Sequence, residues 1–366
     1  MGESPGSIFT TQKASEAEIE WTVIFRLGDE GDEAKNTFSL QGLANSGDGQ
    51  TSSSKLDGHY VLGNDIDASE TANWNNGEGF IPIGEHINYN YDSVFSGHFD
   101  GLGHTISGLT INSSRSGEGI GLFGSAKGAE IRHINLTDLA VEPPQPSIYD
   151  YENVINVGGL VGEANDSIIK RVQVQGTITL AELYFFSEIG GLAGHVKGSS
   201  EVTHTSAQVN INGGLNNVGG LIGQLRSSVT HSYAAGNVNA SQIIGGLVGN
   251  MQSGATVSYV AALGDVTGSG SITIGGLVGS NSNDALAIDN AVAMGDVTAN
   301  AVDSDFASVS LGGLIGNMAA GWIANAYSTG DVTVEGTTIS SSIKIGGLIG
   351  SYSAKTLPGS NTAVLT

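Results

Sequence analysis

The hexapeptide IGGLVG at residues 244–249 recurs unchanged at residues 274–279. Variants stand at 119–124 (GIGLFG), 157–162 (VGGLVG), 189–194 (IGGLAG), 218–223 (VGGLIG), 311–316 (LGGLIG) and 345–350 (IGGLIG). The glycines preceding the eight leucines are Gly121, Gly159, Gly191, Gly220, Gly246, Gly276, Gly313 and Gly347, at steps of 38, 32, 29, 26, 30, 37 and 34 residues. A fixed motif at an uneven period is the pattern of a solenoid whose coils carry loops of different length.

Each copy has a second half: a short β-rich run and then a Gly-Asp or Gly-Asn corner, at Gly236, Gly264, Gly295 and Gly330. The runs are four to eight residues long and rich in Val, Ile, Thr and Ala, which favours strands over helices. The corner glycines are expected to supply unusual backbone dihedrals. The double glycines are expected to let the chain bend where a Cβ would strike the neighbouring coil. Stacked leucines such as Leu247 and Leu277 are expected to fill the interior. The fold expected is therefore all-β, a right-handed parallel β-helix of about eight to ten coils. Residues 1–54, with acidic runs such as that at Asp29, are expected to form an irregular cap or the remnant of a preceding domain. Residues 55–355 are assigned to the repeat domain and 356–366 to a tail or the start of another coil.

Composition narrows the function. The 366-residue chain has 13 Lys and Arg against 36 Asp and Glu, a net charge of −23, so nucleic acid and anionic membranes are poor partners. The acidity is expected to keep a long β-rich chain soluble. Acidic loops offer the oxygens that Ca²⁺ prefers, although no Ca²⁺-loop motif is present. Without cysteine, disulfides, thiolate metal sites and cysteine nucleophiles are excluded. No signal peptide is visible and no apolar stretch approaches membrane-spanning length. The expectation is that a leader has been removed or that the chain is a piece of something longer.

The G-G-L-[VIA]-G cores and the G-[DN]-V corners resemble the GLUG-motif repeats of bacterial exoproteins. The blocks GHYVLGNDIDAS (58–69) and FSGHFDGLGHTISGLTI (95–111) look like the segment preceding such repeats in filamentous-haemagglutinin-like adhesins. The resemblance covers roughly residues 55 to 355. It implies a secreted or cell-surface adhesin-type stalk or binding module, with host or matrix glycans or proteins as partners. Similar repeats occur in non-catalytic regions of bacterial immunoglobulin-A-type zinc metallopeptidases. The alternative is therefore an accessory region of a larger exported enzyme, such a peptidase or, less favoured, a polysaccharide lyase or hydrolase.

Little in the sequence points to chemistry. Gly119, Gly121 and Gly124 satisfy G-x-G-x-x-G but belong to the repeat. None of the eight histidines begins H-E-x-x-H, and metal-ligand spacing is missing, so no metal site or cofactor is assigned. His98 and His104 flank one turn and are candidates to sit near each other. Asp65, Asp67 and Asp100 are the candidate carboxylates for glycan chemistry, with Lys170 and Arg171 the nearest basic pair. Asp265, Asp296 and Asp331 recur at one corner, which argues for a turn role. No catalytic residue is assigned. Ligand contacts are sought among the aromatics of the interruptions: Tyr149, Tyr151, Tyr184 and Trp74.

Overall fold

A computed structural model describes residues 8–11, 19–32, 38–44, 55–84, 93–112, 119–143, 155–180, 187–252, 254–281, 286–300, 308–336 and 342–352. Its strands stack in parallel, each one coil above the last, as a parallel β-helix. One column runs through ten rungs: Ile19–Ile24, His59–Leu62, His98–Asp100, Glu130–Arg132, Ile168–Lys170, Glu201–Thr203, Ser228–Ala234, Thr256–Ala262, Leu286–Ala293 and Gly321–Ser328. At about 4.8 Å per rung this is a rod on the order of 50 Å long. Among the described residues the helical pieces are short 3₁₀ turns, such as Gln41–Leu43, Ser69–Asn73 and Asn75–Gly77.

The hexapeptide makes a separate sheet of eight parallel strands, from Phe123–Lys127 to Ile349–Tyr352. Its leucines form one ladder. The N–H of Leu160 donates to the carbonyl of Leu192, and the same bond joins Leu192 to Leu221, Leu221 to Leu247, Leu247 to Leu277, Leu277 to Leu314 and Leu314 to Leu348. Leu160 through Leu314 are completely buried. Facing them are Phe99, Ile131, Ile169, Val202, Val229, Val257 and Ile288, in register on the ten-rung column. Each coil thus contributes a few apolar side chains to one continuous core, so no single coil holds a core of its own.

The glycines are explained by crowding. A Cβ on Gly246 would lie 2.1 Å from the Gly276 carbonyl, and one on Gly276 would lie 2.2 Å from that of Gly313. The corner glycines correct the sequence expectation. Gly236, Gly264, Gly295 and Gly330 are not in the left-handed region; a Cβ on Gly264, Gly295 or Gly330 would meet the preceding corner glycine's carbonyl at 2.0–2.1 Å. Close approach of coils, and not dihedral freedom, demands glycine there. A left-handed column is formed instead by larger residues: His133, Arg171, His204, His231, Tyr259, Asn290 and Asn325, with φ between 50° and 55°. Within it the rings of His204, His231 and Tyr259 stack at 4.8 Å centroid spacing.

The recurring corner carboxylates have the turn role expected of them. The Asp265 N–H donates to Asn237 Oδ1, that of Asp296 to Asp265 Oδ1, and that of Asp331 to Asp296 Oδ1, at 2.8–2.9 Å. Asp296→Ala is expected to cost about 1 kcal/mol by leaving the Asp331 N–H to water. Asp296→Asn retains the acceptor, as Asn237 does naturally, and is expected to match wild type. Equal denaturation midpoints for the two variants would refute this role.

The parallel ladder begins earlier than residue 55. Ile19–Ile24 pairs in parallel with His59–Leu62, and Ile8–Thr11 lies antiparallel along its other edge. Leu27, Leu40 and Leu43 pack into the same core. An antiparallel strand cannot continue the parallel stack, so it closes the edge that a solenoid must cover.

Candidate functional site

Outward side chains of the ten-rung column converge on an ionic and imidazole cluster in its first half. Position one of each rung carries Trp21, His59, His98 and Glu130 in register; position three carries Asp100, Arg132 and Lys170. The His59 and His98 rings stack at 4.4 Å, with Trp21 edge-on to His59 at 5.2 Å. Arg132 bridges two carboxylates, Nε to Asp100 Oδ2 and Nη1 to Glu130 Oε1, both at 2.7 Å. Lys170 Nζ lies 3.2 Å from Glu130 Oε1, His98 Nδ1 lies 3.3 Å from Glu130 Oε2, and His133 Nδ1 lies 3.0 Å from Asp100 Oδ1.

The electrostatics follow from these contacts. Burial would raise the Asp100 carboxyl, but the Leu102 N–H, Arg132 and His133 outweigh it and hold it below its usual value. Burial opposes ionisation of Glu130 as well, and Lys170 and Arg132 overcome it. Burial and the neighbouring His98 lower His59, against a weaker pull from Asp57. Both carboxylates are therefore fixed as anions. Acid catalysis of glycosidic cleavage needs one carboxyl raised to keep its proton, so neither group suits that role.

Asp100, Lys170 and the histidines were legible as candidates, but their pairing was not. His98 and His104 do not meet: His104 Nδ1 is 3.1 Å from Asp65 Oδ1, whereas His98 belongs to the stack with His59. The Thr105 N–H and His104 hold the Asp65 carboxyl below its usual range. Asp67 accepts from the Ser69 N–H, as in a turn. Glu130 and Arg132 were missed because their other partners, Asp100, His98 and Lys170, lie about one uneven coil away in sequence. The nearly constant offset from hexapeptide to next strand was the signal available. Trp74 corrects the expectation of a ligand-contacting indole: 3₁₀ turns on both sides fold it onto the core, leaving it 7% exposed. Tyr149, Tyr151 and Tyr184 lie outside the described residues.

A second polar constellation is buried where the hexapeptide strand faces the strand leading into it. One row in register holds Ser125, Glu163, His195, Gln224 and Asn250; the other holds Asn156, Glu188 and Asn217. Glu188 Oε2 meets His195 Nδ1 at 3.0 Å, and Lys197 Nζ meets Glu163 Oε2 at 2.8 Å. Burial raises Glu188 to about 7; Arg226 opposes the rise, Glu163 adds to it and Lys197 opposes it. Burial lowers His195 to about 3, helped by Lys197 and Arg226. Both shifts favour a neutral carboxylic acid beside a neutral imidazole ring.

The third feature is a groove of about 630 Å³ across four coils, at the bend between the Gly-Asp corner strand and the hexapeptide. Its lining includes Asn239, Ser241, Gln242, Ser269 and Asn300, and among the described residues none that line it is ionisable. Among the described residues, no cluster of His, Asp and Glu has the makings of a metal site.

Together these features define a parallel β-helix with a continuous apolar core and polar clusters both buried and exposed. No family model matches the chain. Halomucin of Haloquadratum walsbyi (strain DSM 16790 / HBSQ001) is 38% identical over 240 residues, a match that takes in 63% of this chain and 2% of halomucin. The chain thus corresponds to a small fraction of that relative's length. A Bacteroides ovatus protein provisionally described as an immunoglobulin A1 protease, known from its crystal structure, aligns with 91% of this chain and 84% of its own at 16% identity, with a TM-score of 0.42.

Proposed function

We propose that the chain is an exported or surface-displayed β-helix module of the GLUG-repeat, adhesin type, a stiff and non-catalytic support for ligand contacts. The observation that carries this reading is the division of labour within each coil. Inward side chains and backbone groups are committed to inter-coil ladders, while successive rungs hold outward side chains in fixed register. A rigid support positions contacts without the ordering cost of a mobile loop. The ion-paired state of Asp100 and Glu130 supports a binding role over hydrolysis. Similarity to halomucin supports display outside the cell. Among the described residues no helix is long and apolar enough to cross a membrane.

The test is to pass the purified chain over arrays of glycans and extracellular-matrix proteins and analyse each mixture for cleavage products. Retention without cleavage is expected. Cleavage that Asp100→Asn or Glu130→Gln abolishes would replace this reading with an enzymatic one, and failure to retain any probe would remove the binding role.

A further inference from the structure

We infer that the groove lined by Asn239, Ser241, Gln242, Ser269 and Asn300 binds an uncharged, extended oligosaccharide, an inference that rests on the binding-module reading. The groove lies where three successive coils pass directly from the corner strand into the hexapeptide. Val238–Gly245 and Val266–Gly275 each make that passage as one continuous strand. On either side the passage is interrupted: seven residues separate Gln173–Thr179 from Ser187–Gly190, and eight separate Val297–Asn300 from Val309–Gly312. The groove thus runs over these direct passages and reaches Asn300, on the first strand of a longer coil.

Its floor departs from regular pairing in successive coils. Register shifts fall between Asn212 and Leu215 and between Ser241 and Ile243. Gly213, Gly214 and Gly270 have φ of 87°, 96° and 89°, and Gln242, which is not glycine, is held at 72°. Stacked bulges of this kind bend a sheet and re-aim its side chains. A bulky residue held left-handed costs free energy that only its surroundings sustain.

The lining selects the ligand class. Asn239, Gln242, Ser269 and Asn300 are exposed and Ser241 is half-buried. Among the described residues, no side-chain hydrogen bond engages any of the five. Amides and hydroxyls both donate and accept, which matches sugar hydroxyls that do the same. Ser241 and Ser269 are in register on adjacent coils, as are Ser269 and Asn300. Polar groups therefore recur at about the 4.8 Å coil rise, close to the length of one pyranose unit. A peptide would seek a free strand edge, but Val238–Gly245 is paired on both sides. The net charge of −23 disfavours anionic polymers, and the described residues of the groove include no cation to attract them.

The test is calorimetric titration of the full chain with cellohexaose, laminarihexaose, mannohexaose, xylohexaose and maltohexaose, and with hexagalacturonate as the anionic comparison. Saturable binding of at least one neutral hexasaccharide is expected, with hexagalacturonate weaker. Ser241→Trp, which fills the groove, and the double variant Asn239→Ala/Asn300→Ala, should each weaken binding at least tenfold. Tyr259→Ala, at a different corner, should leave it unchanged. The double variant keeps the test decisive should Ser241→Trp fail to fold. Binding that survives both sets of changes would place the contact elsewhere and overturn the groove, leaving the binding-module reading intact. Preference for hexagalacturonate would overturn the ligand class. No binding of the neutral set, with retention of other probes on the array, would refute the groove alone; silence across the whole array would refute both.

Discussion

Gly276→Ala is expected to destabilise the protein by about 3 kcal/mol or more, the upper range for forcing extra volume into a close-packed interior. The added methyl would lie 2.2 Å from the Gly313 carbonyl oxygen and 3.0 Å from the Ala293 Cβ. Neither neighbour yields cheaply. The first is backbone of the next coil, in the stretch where Gly276 N–H donates to the Gly312 carbonyl, and the second is a buried residue of the opposite wall. Relief requires separating two coils, which breaks a rung of the ladder. Gly347 tests this account because it holds the same place in the last described hexapeptide and a Cβ there meets nothing within 4 Å. Gly347→Ala should be neutral or stabilise by about 0.5 kcal/mol, since alanine narrows the unfolded ensemble. Denaturant midpoints of the two variants decide the matter. Similar midpoints would mean that the coils tolerate a methyl and that glycine there has some other cause.

The hexapeptide made the stacking direction and the leucine ladder legible because both depend on residue types that recur. What did not recur was hidden. Arg132 meets Asp100 across one coil of the ladder, and the uneven coil lengths conceal which residues share a column. The left-handed corner was missed for a related reason. Its occupants, His133, Arg171, His204, His231, Tyr259, Asn290 and Asn325, share a backbone conformation but no residue type. Neighbouring coils fix that conformation, so local propensity carries only a trace of it, the excess of Asn and His. The corner glycines were found correctly and explained wrongly, since a close approach between coils and a positive φ leave the same mark on a sequence. Trp74 shows the limit for aromatics: a bulky ring in an irregular stretch reads equally as a ligand platform and as core filler. The packing of Ser69–Asn73 and Asn75–Gly77 makes it the second.

The buried pair of Glu188 and His195 is expected to give stability a plateau between about pH 4.5 and 6.5, falling on both sides. Glu188 is raised from 4.5 to about 7, so the folded state holds its proton more tightly than the unfolded chain. That stabilisation is fully present below 4.5 and is lost as pH rises through 7. His195 is lowered from 6.5 to about 3, so the unfolded chain takes up its proton first. The advantage of the neutral ring is complete above 6.5 and is lost as pH falls towards 3. Between 4.5 and 6.5 the two proton linkages have opposite slopes and nearly cancel. The acid limb, between about pH 3 and 4.5, is about 2 kcal/mol, and the alkaline limb, between about pH 6.5 and 7, is about 1 kcal/mol or less. Glu188→Gln should flatten the alkaline limb and keep the acid one; His195→Asn should do the reverse. Hydrogen exchange in Ser187–Gly190 and Ala193–Lys197, compared at pH 3.5, 5.5 and 8 after correction for intrinsic rates, reports the coils concerned. The surrounding charges sharpen the comparison. Glu163, Lys197 and Arg226 are the same in both variants, so the two differ only at the buried pair. An unchanged alkaline slope in Glu188→Gln would mean that Glu188 is already ionised in the folded protein. Its 3.0 Å contact with His195 would then be that of a carboxylate, and not of a neutral acid, with the ring.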